Sequence, residues 1–161
     1  MTDHIVTSNE TAAAPKAPWH LWAVGIVSLL WNLIGANDYV QSQLRNEEYL
    51  AMGESMGVTM EEMIAYLDAM PMSQEAAWAF GVWGSVVGSI LLLLRSRHAF
   101  TAFLVSFLGM MASLVVEMAG LTDRPLAMEG AVATIMPWLI VIIAVFLLWY
   151  SRSMATKGVL K

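Results

Sequence analysis

Four long stretches without a charged residue alternate with short charged segments along the chain. The uncharged runs hold 21, 19, 19 and 22 residues; they are Ala17–Asn37, Ala76–Leu94, His98–Val116 and Gly130–Ser151. A helix needs about 20 apolar residues to cross a hydrocarbon core about 30 Å thick, and a helix satisfies its own backbone hydrogen bonds in lipid. The pattern therefore predicts four transmembrane helices, at about residues 19–40, 74–94, 98–120 and 130–150.

The composition supports this interpretation. Of the 161 residues, 58% are hydrophobic and 13% are charged, whereas roughly 25% are charged in an average soluble domain. A disordered chain, a nucleic-acid-binding protein and an ordinary cytosolic enzyme are thereby excluded. We expect an all-α integral membrane protein that has the lipid bilayer as its main partner. One four-helix membrane domain covers residues 19–151, between a flexible tail at 1–18 and a basic tail at 152–161.

The positive charges indicate an orientation. Six of the eight Lys and Arg residues lie on the side of the membrane that holds both termini: Lys16, Arg95, Arg97, Arg152, Lys157 and Lys161. Short cytoplasmic segments carry the excess of positive charge in membrane proteins. We therefore expect both termini on the cytoplasmic side of the membrane, and residues 41–72 outside it.

The external segment at 41–72 has the pattern of two short amphipathic helices. Asn46 is a suitable N-cap for the first, which is expected to run to about Met56 and to end at Gly57. Thr59 and Glu62 form a capping box for the second. One face of that second helix is apolar: Met60, Met63, Ile64, Leu67 and Met70. After Pro71, Ser73 is expected to cap the second transmembrane helix.

Small residues predict how two of the long helices pack. The second carries Ala77, Gly81, Gly84 and Gly88 on one face, and the third carries Ala99, Ala102, Ser106, Gly109 and Ser113. Helices in lipid associate through such small residues, because these let the backbones approach closely. The link between the two helices is only a few residues long, so we expect a tight antiparallel hairpin. The fourth helix is bulky on all sides and is expected to face lipid.

A few polar and aromatic residues within or near the spans are the candidates for substrate binding: Asn32, Asp38, Glu75, Glu117, Trp31 and Trp78. Ionisable residues at membrane depth often mark functional sites. All of them except Glu75 have a structural alternative as well. Asn32 can join two helices by hydrogen bonds, Glu117 can sit against the N-terminus of the second helix, Asp38 can be a solvated helix end, and the tryptophans can anchor the interface or pack in the bundle.

No pattern indicates catalysis or a bound cofactor. The chain has no cysteine, which excludes thiolate chemistry and disulfides. The methionine-rich external segment holds six of the 13 methionines, and thioethers suit Cu(I), but an apolar helix face accounts for the same spacing. We expect no metal, no cofactor, no catalytic residue and no enzymatic activity.

Three segments resemble a small family of four-helix proteobacterial inner-membrane proteins whose members are often labelled sugar transporters. They are Pro18–Tyr39 (PWHLWAVGIVSLLWNLIGANDY), Phe80–Arg97 (FGVWGSVVGSILLLLRSR) and Tyr150–Lys161 (YSRSMATKGVLK). The layout also resembles the wider DoxX-like group, with a helix, an external amphipathic segment that ends near Pro, and three further helices. The resemblance implies the topology and a location in the bacterial inner membrane, and it carries over no catalytic or ligand residue.

Three functional hypotheses remain open. The first is a small transporter or permease component for a sugar-like solute, which predicts a polar cavity from the outer mouth to Asn32 and Glu117 and requires oligomerisation, since four helices are few for a complete carrier. The second is a non-catalytic accessory subunit of a larger membrane complex, which predicts a closed core. The third, a redox subunit, rests on the DoxX-like analogy alone.

Overall fold

The computed structural model describes residues 16–120 and 131–161, apart from the side chains of Met56 and residues 131–134. The described helices follow one another in the order α1 (Trp19–Gln43), α2 (Glu47–Leu50), a 3-10 helix (Ala51–Met56), α3 (Met60–Asp68), α4 (Met72–Leu93), α5 (Ala99–Met118) and α6 (Ala131–Thr156). Residues 1–15 of the predicted N-terminal tail lie outside the described residues.

Four of these helices, α1, α4, α5 and α6, are long and apolar enough to cross a membrane. Their outward faces are apolar and exposed, as at Ile34 (68%) and Ile142 (65%), which suits contact with lipid. The predicted all-α bundle of four membrane helices with two short helices between the first two is confirmed. The chain is a multi-pass membrane protein. The end of the bundle with Trp19 and Thr156 is called the terminal side, and the end with α2, the 3-10 helix and α3 the capped side.

Helices α4 and α5 form the closest pair, joined by the short turn at residues 94–98. A Cβ on Gly84 would lie 2.9 Å from the backbone nitrogen of Ser106, and one on Gly109 would lie 2.6 Å from the carbonyl oxygen of Ala77. The Ser106 hydroxyl donates to the carbonyl of Gly81 across the same contact. The predicted hairpin of small faces is therefore confirmed, and glycine is required because the backbones touch.

Helix α1 packs on the other face of α4. The Asn32 side-chain amide donates to the Ser85 carbonyl oxygen at 3.1 Å and to the Ser89 hydroxyl at 2.9 Å. Near the terminal side, Leu93 packs directly over Gly25. The polar stripe of α1 thus acts as an interhelical contact in the middle of the bundle.

Helix α6 packs against α5 and is the least buried of the four spans. It continues through Pro137 and ends at Thr156, six residues beyond the predicted end at 150. Val159 and Leu160 then fold back and are buried. The last residue, Lys161, exchanges backbone hydrogen bonds with the α4–α5 turn, since Arg97 N donates to Lys161 O at 2.8 Å and Lys161 N donates to Arg95 O at 2.7 Å.

The capped side begins where α1 ends, at Gln43 rather than at the predicted residue 40. The Asn46 side chain caps α2, as predicted, but only the first half of the predicted helix is α-helical and the second half is the 3-10 helix, which ends at the left-handed Gly57. The predicted capping box of Thr59 and Glu62 is confirmed. The backbone N–H and the hydroxyl of Thr59 both donate to Glu62 Oε2, and these two hydrogen bonds lower the pKa of the Glu62 carboxyl.

The predicted cap of the second membrane helix is wrong. Helix α4 begins at Met72, so Ser73 is already helical, and Pro71 occupies the N-cap position without a side-chain hydrogen bond. The reason is local: the fixed φ of Pro71 is preorganised for the start of a helix, and its carbonyl accepts from both Gln74 N and Glu75 N. Gln74 is therefore the third residue of α4 instead of the first.

Candidate functional site

A cavity of about 520 Å³ lies on the capped side, between the short helices and the ends of α1, α4 and α5. We call it the capped-side cavity. Its described lining combines apolar, aromatic and polar side chains: Leu50, Met52, Gly53, Met63, Leu67, Met70, Tyr49, Tyr66, Trp78, Asp38, Ser42, Gln74, Ser113 and Glu117. The volume is in the range of small-molecule sites, about 300–1,000 Å³.

Helical spacing places these residues on common faces. Asp38 and Ser42 are four residues apart on α1, Gln74 and Trp78 on α4, and Ser113 and Glu117 on α5. Residues four apart lie above one another on one side of a helix. Helices α1, α4 and α5 therefore each contribute one turn of polar or aromatic side chains at their ends.

The cap contributes the apolar part of the lining. Met63, Leu67 and Met70 lie on the predicted apolar face at α3 and its C-terminal end, and Leu67 is almost fully buried. This confirms that the apolar face of α3 packs inward. A cavity instead of a filled core lies beneath the apolar face of α3, because α4 and α5 present polar side chains opposite that face.

Two polar atoms at this site, Gln74 Oε1 and Ser113 Oγ, are buried and have no hydrogen-bond partner among the residues that the structure describes. Gln74 is 3% exposed. A buried polar atom without a partner costs about 1–3 kcal/mol, and such atoms are rare in native proteins. Since both residues line the cavity, a molecule bound there can supply the missing hydrogen bonds.

A hydrogen bond between Tyr49 and Asp38 fastens the cap to α1. The Tyr49 hydroxyl donates to Asp38 Oδ1 at 2.9 Å. Burial, this hydrogen bond and the charge of Asp38 together raise the pKa of Tyr49 to about 12. The phenol therefore remains a hydrogen-bond donor across the physiological range, and Asp38 remains tied to the cavity wall.

The charges of the described lining are all negative. Asp38 and Glu117 line the cavity, and no Lys, Arg or His does so among the described residues. Arg45 lies in the turn before α2 and forms an ion pair with Asp68 at 2.9 Å. The cavity surface is thus acidic and apolar together.

The structure brings three of the six predicted site residues together, since Asp38, Trp78 and Glu117 all line the cavity. Asn32, Trp31 and Glu75 are not among the residues that line it. Asn32 is committed to the α1–α4 contact, because its position is two turns closer to the bundle centre. The predicted polar path from the capped side to Asn32 is therefore not formed in this structure.

Sequence reasoning missed five polar or aromatic residues of the lining as ligand candidates: Ser42, Tyr49, Tyr66, Gln74 and Ser113. Ser113 was assigned to the small face of the hairpin. Gln74 had a usable signal, because it lies four residues before Trp78 on the same helix face. The two tyrosines gave none, since they are recruited by folding of the cap over the bundle.

No group of three metal-ligating His, Asp or Glu side chains occurs in the described part of the chain. Three of the six methionines of the external segment, Met52, Met63 and Met70, line the cavity. Their thioethers contribute flexible apolar surface there.

Comparison with known proteins identifies no relative of this chain. No protein-family model matches it, and searches of curated proteins and of solved structures find no significant match. The resemblance to four-helix inner-membrane proteins and to the DoxX-like group stays a prediction.

Proposed function

We propose that this multi-pass membrane protein binds a small solute in the capped-side cavity, as the solute-binding part of a transport system. The observation that carries the proposal is the pair of buried unpartnered polar atoms, Gln74 Oε1 and Ser113 Oγ, at a cavity of about 520 Å³. A ligand that bonds to such groups in a cavity stabilises the folded protein.

The position of the cavity supports a role in solute handling. Gln74 and Trp78 lie in the first two turns of α4, and Ser113 and Glu117 lie in the last two turns of α5. The site is therefore near one end of the membrane-spanning helices, where a solute can arrive from the water phase. The opposite end is filled by the buried core cluster around Leu21 and Leu92.

The same asymmetry favours a binding component over a complete carrier. Asn32 joins α1 to α4 below the cavity, and the core cluster fills the terminal side. A solute that crosses the membrane needs a second access route, which a second copy or a partner protein would provide. Binding by this chain and transport by an assembly are thus two separable parts of the proposal.

A thermal-stability screen tests the binding part. The purified protein, in nanodiscs, is heated in the presence of a panel of sugars, polyols, amines and carboxylates. A solute present at 100 times its Kd stabilises the folded state by about 2.7 kcal/mol, which raises the melting temperature measurably. The proposal expects at least one such solute.

Two variants localise the effect. Ser113→Phe adds a ring to the cavity lining and is expected to abolish the stabilisation. Gly35→Ala is the control, because a Cβ there has no neighbour within 4 Å, and it should respond as the native chain does. Uptake of the same solute into proteoliposomes then tests transport. A panel without a stabilising solute, or stabilisation that survives in Ser113→Phe, would contradict a binding role for the cavity.

A further inference from the structure

Resting on the proposed function, we propose that the solute of the capped-side cavity is an organic monocation: a protonated amine with an apolar, aromatic body. Three independent features of the site lead to this class: its charge, the side chains that form its surface and the kind of hydrogen-bonding atom that lacks a partner.

The charge of the region excludes anions and favours cations. Asp38 and Glu117 line the cavity, and its described lining contains no basic side chain. Between residues 38 and 75 the chain holds eight acidic residues and a single basic one, Arg45, which is paired with Asp68. Clefts lined by one sign of charge concentrate ions of the opposite sign.

The uncharged surface suits a hydrophobic body better than a sugar. Leu50 and Leu67 lie beside three methionines in the lining, and the rings of Tyr49, Tyr66 and Trp78 complete it. Aromatic faces attract cations, by about 0.5–2 kcal/mol depending on exposure. A neutral sugar would satisfy hydrogen bonds but would leave the apolar and aromatic surface without a matching group.

The two buried atoms that lack a partner favour a ligand that donates hydrogen bonds. Gln74 Oε1 is an acceptor, and the hydroxyl of Ser113 can accept as well. A primary ammonium group carries three N–H donors and no acceptor. It can donate to Gln74 Oε1 in a cavity that Asp38 also lines, whereas a quaternary ammonium group cannot donate at all. We therefore expect primary amines to bind more tightly than quaternary ones.

Matched probes separate charge from shape. Isothermal titration of the protein in phosphatidylcholine nanodiscs, with empty nanodiscs subtracted, compares 2-phenylethylammonium, 2-phenylethanol, phenylacetate and methyl β-glucoside. Since hydrogen bonds to charged groups contribute about 1.5–3 kcal/mol, the amine should bind roughly tenfold or more tightly than the alcohol. Phenylacetate and the glucoside should show no binding at the same concentrations.

Charge-removing variants assign the preference to the cavity. Asp38→Asn and Glu117→Gln should each lower the affinity for the amine by about tenfold, the value of one charged hydrogen bond, and leave the affinity for the alcohol unchanged. Glu48→Gln removes an exposed carboxylate of the cap outside the lining and should leave both affinities unchanged. The two cavity variants lie on different helices, so the test survives if one of them fails to fold.

The outcomes are distinct. Equal or tighter binding of the alcohol, the glucoside or phenylacetate would overturn the cation assignment while leaving solute binding intact. A loss of amine binding in Glu48→Gln equal to that in Asp38→Asn would show a diffuse surface effect and would also overturn it. If none of the four probes binds and the stability screen yields no solute, the proposed function falls together with this inference.

Discussion

The two ends of the bundle begin with the same local structure and finish differently. Helix α1 on the capped side and helix α4 on the terminal side both end in an arginine in the left-handed region, Arg45 with φ 50° and Arg95 with φ 59°. In both turns the arginine N–H and the next N–H bond back to the last helical turn, as in a Schellman motif. Such a φ is uncommon for a residue with a side chain, so each arginine is held there by its contacts.

Those contacts differ in kind. Arg95 donates from Nε and from a terminal guanidinium nitrogen to the carbonyl oxygen of the buried Val159, each at 3.1 Å. Arg45 donates to Asp68, whose side chain is 64% exposed, and to the carbonyl oxygen of Ser42 in its own turn at 2.7 Å. Arg95 thus contacts the packed core at the terminal side, whereas Arg45 links α1 to the short helices above the cavity. The same type of turn can therefore either pack into the core at one end of a bundle or hold the short helices at the other end through a solvent-exposed ion pair.

The largest expected effect separates packed core from cavity lining. Leu92→Ala, at a fully buried position of the terminal-side core, should lower the free energy of unfolding by about 2–5 kcal/mol, because it creates a void. Met70→Ala, in a lining that already borders a cavity, should cost about 1 kcal/mol or less. Equilibrium unfolding in mixed micelles measures both. Equal losses would mean that the capped side is packed as tightly as the terminal side.

The next largest effect is the difference in stability loss between substitutions of Arg95 and Arg45. Arg95→Ala should lose about 1.5–3 kcal/mol of stability, since it removes charged hydrogen bonds to a buried carbonyl, and the loss should not change with salt. Arg45→Ala should lose under about 1 kcal/mol, because the partner of its charge, Asp68, is exposed. That smaller loss should vanish at about 1 M salt, where the screening length is about 3 Å. A salt-dependent loss for Arg95→Ala would contradict the comparison.

Two polar-to-apolar substitutions should change the stability of the protein in opposite directions. Gln74→Leu removes a buried acceptor without a partner. It should raise the free energy of unfolding of the ligand-free protein by about 1 kcal/mol, and with it the melting temperature. Ser89→Ala removes a hydroxyl that accepts from Asn32 and should lower stability by a similar amount. Thermal unfolding without added solute compares them. A destabilised Gln74→Leu would show that the amide already has a partner.

The smallest effect concerns the Tyr49–Asp38 bond. The pKa of Tyr49 is raised from 10.0 to about 12, so its contribution to stability is complete below pH 10 and is lost as pH rises through 12. The difference in absorbance at 295 nm between the native chain and Tyr49→Phe should therefore rise near pH 12. A step near pH 10 would mean that the phenol is not held against Asp38.

Much of the fold follows from local patterns. The uncharged runs located the four spans to within a few residues, because length and apolarity are the properties that lipid requires. The hairpin of α4 and α5 followed from glycines such as Gly84 and Gly109, since only close backbones need them. The cap at Ser73 failed because the preceding Pro71 starts the helix earlier, a competition between two N-terminal signals that spacing alone does not resolve.

The site was only partly predictable. Asp38, Trp78 and Glu117 stood out because charges and tryptophans are rare near a span, and all three reach the cavity. Asn32 stood out for the same reason but bonds to Ser89 across a helix contact. The pattern along one helix shows that a residue faces inward; it does not show whether another helix or an empty space lies opposite.

The sequence by itself determined the environment and the elements: a chain with 13% charged residues and four long apolar runs folds as membrane helices, since lipid leaves few other ways to satisfy the backbone. The tertiary structure alone decided where the bundle is filled and where it is open. Leu92 and Val159 meet in one core at the terminal side, whereas Gln74 and Ser113 face a cavity under the cap. That distinction depends on contacts between residues far apart in the chain.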